Sequence, residues 1–415
     1  MLNFRALIDS FRDCGCGMDH RCGIHDIRIG SGLVTQVGEI LRENGFPRRL
    51  LLIGDRDTLA AAAGIEESLT GFEVTRHCYD TLRVATMDDV RLVEDYLDRV
   101  DAVVAVGAGS IHDPSRLACA RRNKPLCLFA TAPSMDGFAS YNAPIVDGGF
   151  KTTHAAKCPE VIIADTKILA AAPKALKSAG FGDMISKYIA LIDWQVSHLV
   201  TGEAYCPRVA ELTRTAVDRL MTMAGRVTLE DEETAAAVLE SLLMTGIAMS
   251  FTRTSRPGSG TEHILAHYWE CIELLEGKIP NFHGEDVGVA TLLTLREYEA
   301  LAGRETVTAH PEVNDWDAVY RAYGPLAGDV RQLNTPDTIT DGIDPRVIEE
   351  KWPEIRAIVR SVPDYDACYR AMKAAGCKTT IAEIGKDPAF VAESLLYHPY
   401  MRRRLSLRRL ARMVD

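Results

Sequence analysis

Four apolar runs, each separated from the next by a helix-length stretch, constrain this chain more than any other feature. They are Arg49–Asp55, Val100–Val106, Pro125–Ala130 and Glu160–Asp165. Within each run the apolar residues are continuous, not alternating. Such runs suit strands buried on both faces, as in a parallel sheet covered by helices. The pair Thr152-Thr153, after Asp147-Gly148-Gly149-Phe150, opens a further strand or hairpin. After Pro173 the pattern changes, and long helical periodicities dominate over Asp183–Val200, Val209–Ala224 and Glu232–Ser250. The expected fold is an α/β N-terminal half with a parallel, Rossmann-like sheet, followed by an all-α C-terminal half. The expected boundaries are an arm over 1–25, the α/β domain over 26–175 and the helical domain over 176–415.

A chain of 415 residues exceeds one ordinary core, which agrees with two domains. The formal net charge of -11 argues against a nucleic-acid partner, because phosphate affinity comes from clustered Lys and Arg. The one basic run, Arg402-Arg403-Arg404 with Arg408, Arg409 and Arg412, reads as a solvated helix face. No apolar run reaches the ~18 residues of a membrane span, and the N-terminus lacks a signal-peptide core. The expected location is the cytoplasm, with the 11 cysteines as reduced thiols. Cys14, Cys16, His20, Cys22 and His25 crowd the first 25 residues. They lack paired Cys-x-x-Cys spacing, so the segment reads as a loop-like arm, with a structural metal as the sharper alternative.

The run ending at Val106 leads into Gly107-Ala108-Gly109-Ser110-Ile111. A strand, a glycine turn and a helix start let backbone N–H groups approach a pyrophosphate. This is not the full dinucleotide fingerprint, since His112 stands where a third glycine belongs. Asp55 ends an earlier strand and could accept from a ribose hydroxyl, which favours NAD over NADP, while Arg56 beside it offsets that preference. The loop Thr131-Ala132-Pro133-Ser134-Met135-Asp136-Gly137 with Ser140 follows another strand and offers hydroxyls and a carboxylate. Its composition also suits an ordinary turn.

Asp183, His263, His267 and His283 form the second candidate constellation. Ser259-x-x-Glu262 reads as a capping box, placing His263 and His267 at i and i+4 on one helical face. His283 follows Pro280-Asn281-Phe282 at the expected start of the next helix, and Asp183 follows Gly182 at the expected start of another. A carboxylate with neutral imidazoles suits one divalent cation with open positions. Taken singly, each histidine is as well explained by a hydrogen-bonded helix end. Spacing does not decide which imidazoles are ligands.

Together with these motifs, the segments Gly182-Asp183, Ser197-His198, Gly202 to Cys206, Ser259 to Trp269 and His283-Gly284-Glu285 carry a resemblance. The chain resembles the sn-glycerol-1-phosphate dehydrogenase family, in its bacterial AraM-like branch. That family lies within the superfamily of iron-containing alcohol dehydrogenases, glycerol dehydrogenases and 3-dehydroquinate synthases. Cys14-Gly15-Cys16-Gly17 followed by His20 is similar to the same branch. The resemblance covers residues 14 to 400 and implies a dehydroquinate synthase-like fold. It implies Asp183, His263 and His283 as ligands of zinc or nickel, with Asp183 also near substrate. It implies Asp136 and His267 as substrate contacts, with Asp183 and His267 catalytic. It implies NAD(H) or NADP(H) at Asp55, Gly107, Ala108, Gly109, Ser110, Ile111, Thr131, Ala132, Pro133, Ser134 and Ser140. Ala108 departs from the glycine common there.

The implied reaction is reversible reduction of dihydroxyacetone phosphate to sn-glycerol 1-phosphate in a cytoplasmic homodimer of phospholipid metabolism. His267 or a metal-bound water is the proton source, and Arg253, Arg256 and Lys187 are candidates for the substrate phosphate. The nearest rival is glycerol dehydrogenase. A dehydroquinate synthase-type lyase has a Glu ligand where Asp183 stands. A silent homologue conflicts with the intact set of candidate residues.

Overall fold

The computed structural model describes residues 2–415. Eight strands run in chain order: β1 (Asp26–Gly30), β2 (Arg49–Asp55), β3 (Glu73–Tyr79), β4 (Ala102–Gly107), β5 (Leu126–Ala130), β6 (Asn142–Asp147), β7 (Phe150–Ala155) and β8 (Val161–Asp165). Six form one sheet in the order β1-β8-β5-β4-β2-β3, and every neighbouring pair is parallel. β6 and β7 form a separate antiparallel hairpin, the element foreshadowed by Thr152-Thr153.

The four continuous runs became the four central strands because both faces are covered. Leu51, Ile53, Val103 and Ala105 point into one apolar layer. Leu50, Leu52, Val104 and Val106 point into the opposite layer. The edge strands β1 and β3 were not expected, and their burial explains why. β1 carries Asp26 and Arg28, β3 carries Glu73, Arg76 and His77, and both are only partly buried. A half-solvated edge does not need an apolar run.

After β8 the chain is helical. Its centre is the helix Glu232–Thr252, capped by the Asp231 side chain on Glu233 N and Thr234 N. It is the one helix among the described residues that is long and apolar enough to cross a membrane, and it lies wholly inside the fold. The helix Phe4–Ser10 packs Phe4 and Ile8 into the same helical core, with Phe11 just beyond it.

Three expectations need correction. Asp183–Val200 is not one helix: Lys174–Ile185 ends at Ser186, and Lys187–Thr201 begins anew. Asp183 therefore lies in a last turn, not at a helix start. The capping box at Ser259 does not form. Gly260 is the N-cap of the helix Thr261–Leu275, Glu262 Oε1 accepts from Gly260 N at 2.9 Å, and Asp193 Oδ2 accepts from Thr261 N at 2.7 Å. Finally, apart from exposed Arg403, the arginine run is not a solvated face. Arg409 is fully buried, 2.7 Å from Glu312 and 4.2 Å over the Tyr400 ring, while Arg404 Nη1 donates to Ser259 O. Buried carbonyls and a buried carboxylate consume the charges that composition alone assigns to water.

Candidate active site and metal centre

The sheet sets the position of the cleft. From β2 the chain moves outward to β3, then returns to β4 on the other side of β2. Ligands bind outside the carboxyl ends of strands at such a reversal. Asp55 ends β2 and Gly107 ends β4, so the two flank this point. The helix Gly109–Arg122 starts directly after Ala108 and aims its free N–H groups into the cleft. Asp55 Oδ1 accepts from Thr58 N at 2.9 Å, so this carboxylate is a helix cap as well as a cleft residue.

A cleft of about 870 Å³ collects the expected residues from both halves. Asp55, Ala108–Ile111, Thr131, Ala132, Ser134, Asp136 and Ser140 line it, together with His263, His267 and His283. Gly107 and Pro133 shape it without lining it. Asp183 is fully buried behind the wall.

Close backbone contacts bring the metal-site helices together. A methyl group added at Gly182 would sit 2.2 Å from the Gly284 carbonyl oxygen, and one added at Gly284 would sit 1.8 Å from Ala179 O. Only glycine permits this crossing of Lys174–Ile185 with His283–Ala302. Each glycine adjoins a candidate ligand, Asp183 or His283. Gly180 similarly admits the Pro133 carbonyl, where an added methyl would lie 1.9 Å away. That contact seats the 131–140 loop, and Asp136 N donates to Asp183 Oδ2 at 2.8 Å.

Asp183, His263 and His283 each offer a donor atom within 4.8 Å of the others. His263 Nε2 stands 3.4 Å from Asp183 Oδ1. The far nitrogens are tied down: His263 Nδ1 lies 2.7 Å from Glu262 Oε1, and His283 Nδ1 lies 2.7 Å from Glu270 Oε1. Carboxylates behind imidazoles fix the tautomer and leave Nε2 free as a ligand. The donor set therefore fits a divalent cation. A second group, His267 with Glu270 and His283, also lies within ligand distance. Its compactness comes from Glu270 accepting the His283 Nδ1–H, a supporting contact rather than a ligand geometry. Lys151 Nζ, 2.7 Å from Glu270 Oε2, further occupies that carboxylate.

Lys187 is fully buried, 2.8 Å from Asp183 Oδ1 and 2.7 Å from Asp136 Oδ2. Burial opposes ionisation of Asp183, but Lys187 and His263 hold its carboxyl well below the usual range. Burial and the facing Asp183 charge push Asp136 upward. For His263, burial lowers the ring's proton affinity, yet Asp183 and Glu262 outweigh it and raise the value to about 9. The two carboxylates thus favour positive charge at this point. His267 is the opposite case: burial, then Lys151, pull it well below its ordinary value, so it is neutral at pH 7. Arg402 Nη2 lies 3.4 Å from His267 Nδ1. Arginine can only donate, so Nδ1 is the acceptor and Nε2 carries the proton.

Of the phosphate candidates, none is free in the cleft. Lys187 is paired as above, Arg256 is paired with Glu203 at 2.5 Å, and Arg253 lies 3.7 Å from Asp19. The sequence reading missed Glu270, Lys151 and Arg402 as site-supporting residues. Glu270 had a signal, since it follows His267 by three on the same helical face. Lys151, on the hairpin, and Arg402, far downstream, had none.

A model of the iron-containing alcohol dehydrogenase family matches residues 28–173. A glycerol-1-phosphate dehydrogenase (NAD(P)+) of Halalkalibacterium halodurans is 34% identical, over 72% of this chain and 77% of that protein. One from Geobacillus thermodenitrificans is 33% identical, over 94% of this chain and 92% of its own. The solved sulfoacetaldehyde reductase of Bifidobacterium kashiwanohense, in complex with NAD+, shares the fold with a TM-score of 0.62. It is 14% identical and covers 94% of each chain. With its six-stranded parallel sheet, helical second half and matches of this extent, the chain belongs to the glycerol-1-phosphate dehydrogenase family, within the iron-containing alcohol dehydrogenase superfamily.

Proposed function

We propose that this protein catalyses the reversible, NAD(P)H-linked reduction of dihydroxyacetone phosphate to sn-glycerol 1-phosphate. One observation carries the reading: His263 and His283, with Asp183 directly behind them, open onto the same cleft as the Ala108–Ile111 turn. When bound, a divalent cation supplies Lewis acidity to a carbonyl oxygen and a nicotinamide supplies the hydride.

The residues divide the remaining work. Asp183, His263 and His283 hold the cation, with zinc or nickel suiting a set of imidazoles and one carboxylate. Asp183 acts from behind the wall, and Lys187 keeps it ionised. His267, neutral with its proton on Nε2, would donate a hydrogen bond to a substrate oxygen and stabilise its developing charge, while water supplies the proton for the new hydroxyl. Asp136 accepts from a substrate hydroxyl. Lys151 is the cation offered to the substrate phosphate, since unlike Lys187, Arg253 and Arg256 it lines the cleft, and its pairing with Glu270 leaves ammonium protons for an anion. The backbone from Gly107 to Ile111 takes the pyrophosphate, and Thr131, Ala132, Pro133, Ser134 and Ser140 form the wall along the cofactor. Asp55 lies where a ribose would sit and favours NAD over a 2′-phosphorylated cofactor. The sheet-bearing residues 26–175 are the cofactor domain and residues 176–415 the metal and substrate domain.

The eleven free thiols support a reducing, cytoplasmic setting. A homodimer rests on the family resemblance.

The test is NADH oxidation by metal-replete protein with dihydroxyacetone phosphate and, separately, with dihydroxyacetone. The expected result is turnover of the phosphorylated substrate and a product that sn-glycerol-3-phosphate dehydrogenase does not oxidise. Preference for unphosphorylated dihydroxyacetone or glycerol would sink the assignment in favour of a glycerol dehydrogenase.

A further inference from the structure

Outside the cleft, three cysteines and a histidine converge. Cys14, Cys16, His20 and Cys206 each present a ligand atom within 4.8 Å of the others. Cys14 Sγ lies 3.7 Å from Cys206 Sγ. His20 Nε2 lies 3.0 Å from Cys16 Sγ and 3.5 Å from Cys206 Sγ. We propose that these four residues bind a second metal ion, a structural zinc that fastens the N-terminal arm to the helical half.

The distances fit. With Zn–S near about 2.3 Å and Zn–N near about 2.0 Å, a tetrahedron has S–S edges of about 3.8 Å and S–N edges of about 3.5 Å. The Cys14–Cys206 and Cys206–His20 separations fall on those two values.

His20 is set for the task. Its Nδ1 lies 3.1 Å from the Phe251 carbonyl oxygen, which can only accept, so Nδ1 carries the proton. The Nε2 lone pair then faces the sulfurs. A backbone carbonyl behind an imidazole is a common support for a metal-bound histidine. The ring is 4% exposed and packs edge-on against Phe11 at 5.7 Å.

Burial pushes the Cys206 thiol up to about 12 before any metal binds, and the helix end beside it offsets part of that. Cys206 is the fully buried N-cap residue of the helix Pro207–Met221, whose free N–H groups favour negative charge. The Arg208 guanidinium sits 4.7 Å over the Phe11 ring and donates to Ser10 O, close to the same arm. Three thiolates and a neutral imidazole would hold a dication in a complete, closed shell, the pattern of a structural rather than catalytic zinc. Each thiol releases its proton on binding. The ligands come from residues 14–20 and from residue 206, so the ion bridges segments 186 residues apart. The remaining two members of the N-terminal cluster go elsewhere. Cys22 meets Cys158 at 3.9 Å, and His25 is exposed.

The experiment combines metal counting with cobalt substitution on the full chain, purified under reducing conditions. The unaltered protein is expected to hold one more equivalent of metal than either Cys206→Ser or Cys16→Ala. His263→Ala is expected to retain that equivalent. The cobalt-loaded protein and cobalt-loaded His263→Ala should both show sulfur-to-cobalt charge transfer in the near ultraviolet. That band should vanish in the cysteine variants. Cys16 is partly exposed, so its variant guards against a folding failure at buried Cys206; circular dichroism and retained NADH oxidation check both. The Asp–His centre contains no thiolate, so the band reports this site whatever the cleft catalyses. The proposal is overturned if cobalt-loaded His263→Ala lacks the band. It is equally overturned if the reduced protein shows a Cys14–Cys206 disulfide by mass.

Discussion

Gly182 and Gly284 meet so closely that a methyl group on the first would lie 2.2 Å from the carbonyl oxygen of the second. Each precedes or follows a candidate ligand by one residue, so this crossing sets the distance between Asp183 and His283. Gly284→Ala is expected to force the helices apart, costing ~1–3 kcal/mol of stability as overpacking does. Metal content should fall with it. Gly328→Ala is the control, because nothing lies within 4 Å of a methyl group there. Thermal unfolding and metal analysis of the two variants check this; equal behaviour would remove the crossing from the account.

Glu270 holds His283 Nδ1 at 2.7 Å without lying among the three preferred ligands. Glu270→Gln is expected to weaken metal affinity by ~10–100-fold, the usual effect of losing a carboxylate behind a ligating imidazole. Chelator competition measures it. An unchanged affinity would return Glu270 to a purely structural pairing with Lys151.

The buried ammonium of Lys187 faces two carboxylates. Lys187→Met leaves both without their cation, and breaking a buried pair in this way costs ~3–5 kcal/mol. Urea denaturation is expected to show that loss. The effect should be largest after metal removal, since bound metal would take over part of the neutralisation.

His398 is fully buried, with Nδ1 2.8 Å from Ser394 O, and burial followed by Arg408 lowers its pKa to about 3. Its folded value lies below the ordinary 6.5, so the unfolded chain binds the extra proton between those limits. Stability from this group is full above pH 6.5 and declines as pH falls towards 3, by up to ~1.4 kcal/mol per pH unit. His398→Gln should flatten that decline. Denaturation of both proteins at pH 6.5 and pH 5 gives the difference, and parallel slopes would contradict the burial argument.

His267 should not titrate in the neutral range. His267→Ala is expected to lower kcat by ~10²–10³-fold, the effect of removing one donor aimed at a developing oxyanion. The acid limb of the parent pH profile should then belong to another group. A parent pKa near 6.5 that vanishes in His267→Ala would contradict the neutral ring.

Much of this was legible because the central strands are buried on both faces and so cannot be polar. The glycine turn after β4 was legible because its glycines follow such a strand. β1 and β3 were hidden because sheet edges tolerate Arg28 and Arg76. The split at Ser186 was hidden because residues 177–194 are buried on every face across it, so no change in periodicity marks the break. Spacing could not choose His283 over His267 as ligand partner of His263; the family resemblance supplied that choice, and the carboxylates behind the rings support it. One of those, Glu270, was legible as a helical neighbour of His267, but its contact with His283 on the next helix was not. The Cys206 contribution to the arm's cluster could not be read at all, because no local spacing connects it to Cys14.

Asp193 ties two distant stretches to one carboxylate: Oδ2 accepts from Thr261 N and Oδ1 from Leu407 N, 214 residues downstream. The helix bearing His263 and His267 is thus moored at its first residue by a group that also receives the final stretch of chain. During vectorial synthesis the sheet can form early. This mooring waits until residue 407 has emerged, so a stalled or clipped chain would hold a finished cofactor half beside an unanchored metal helix.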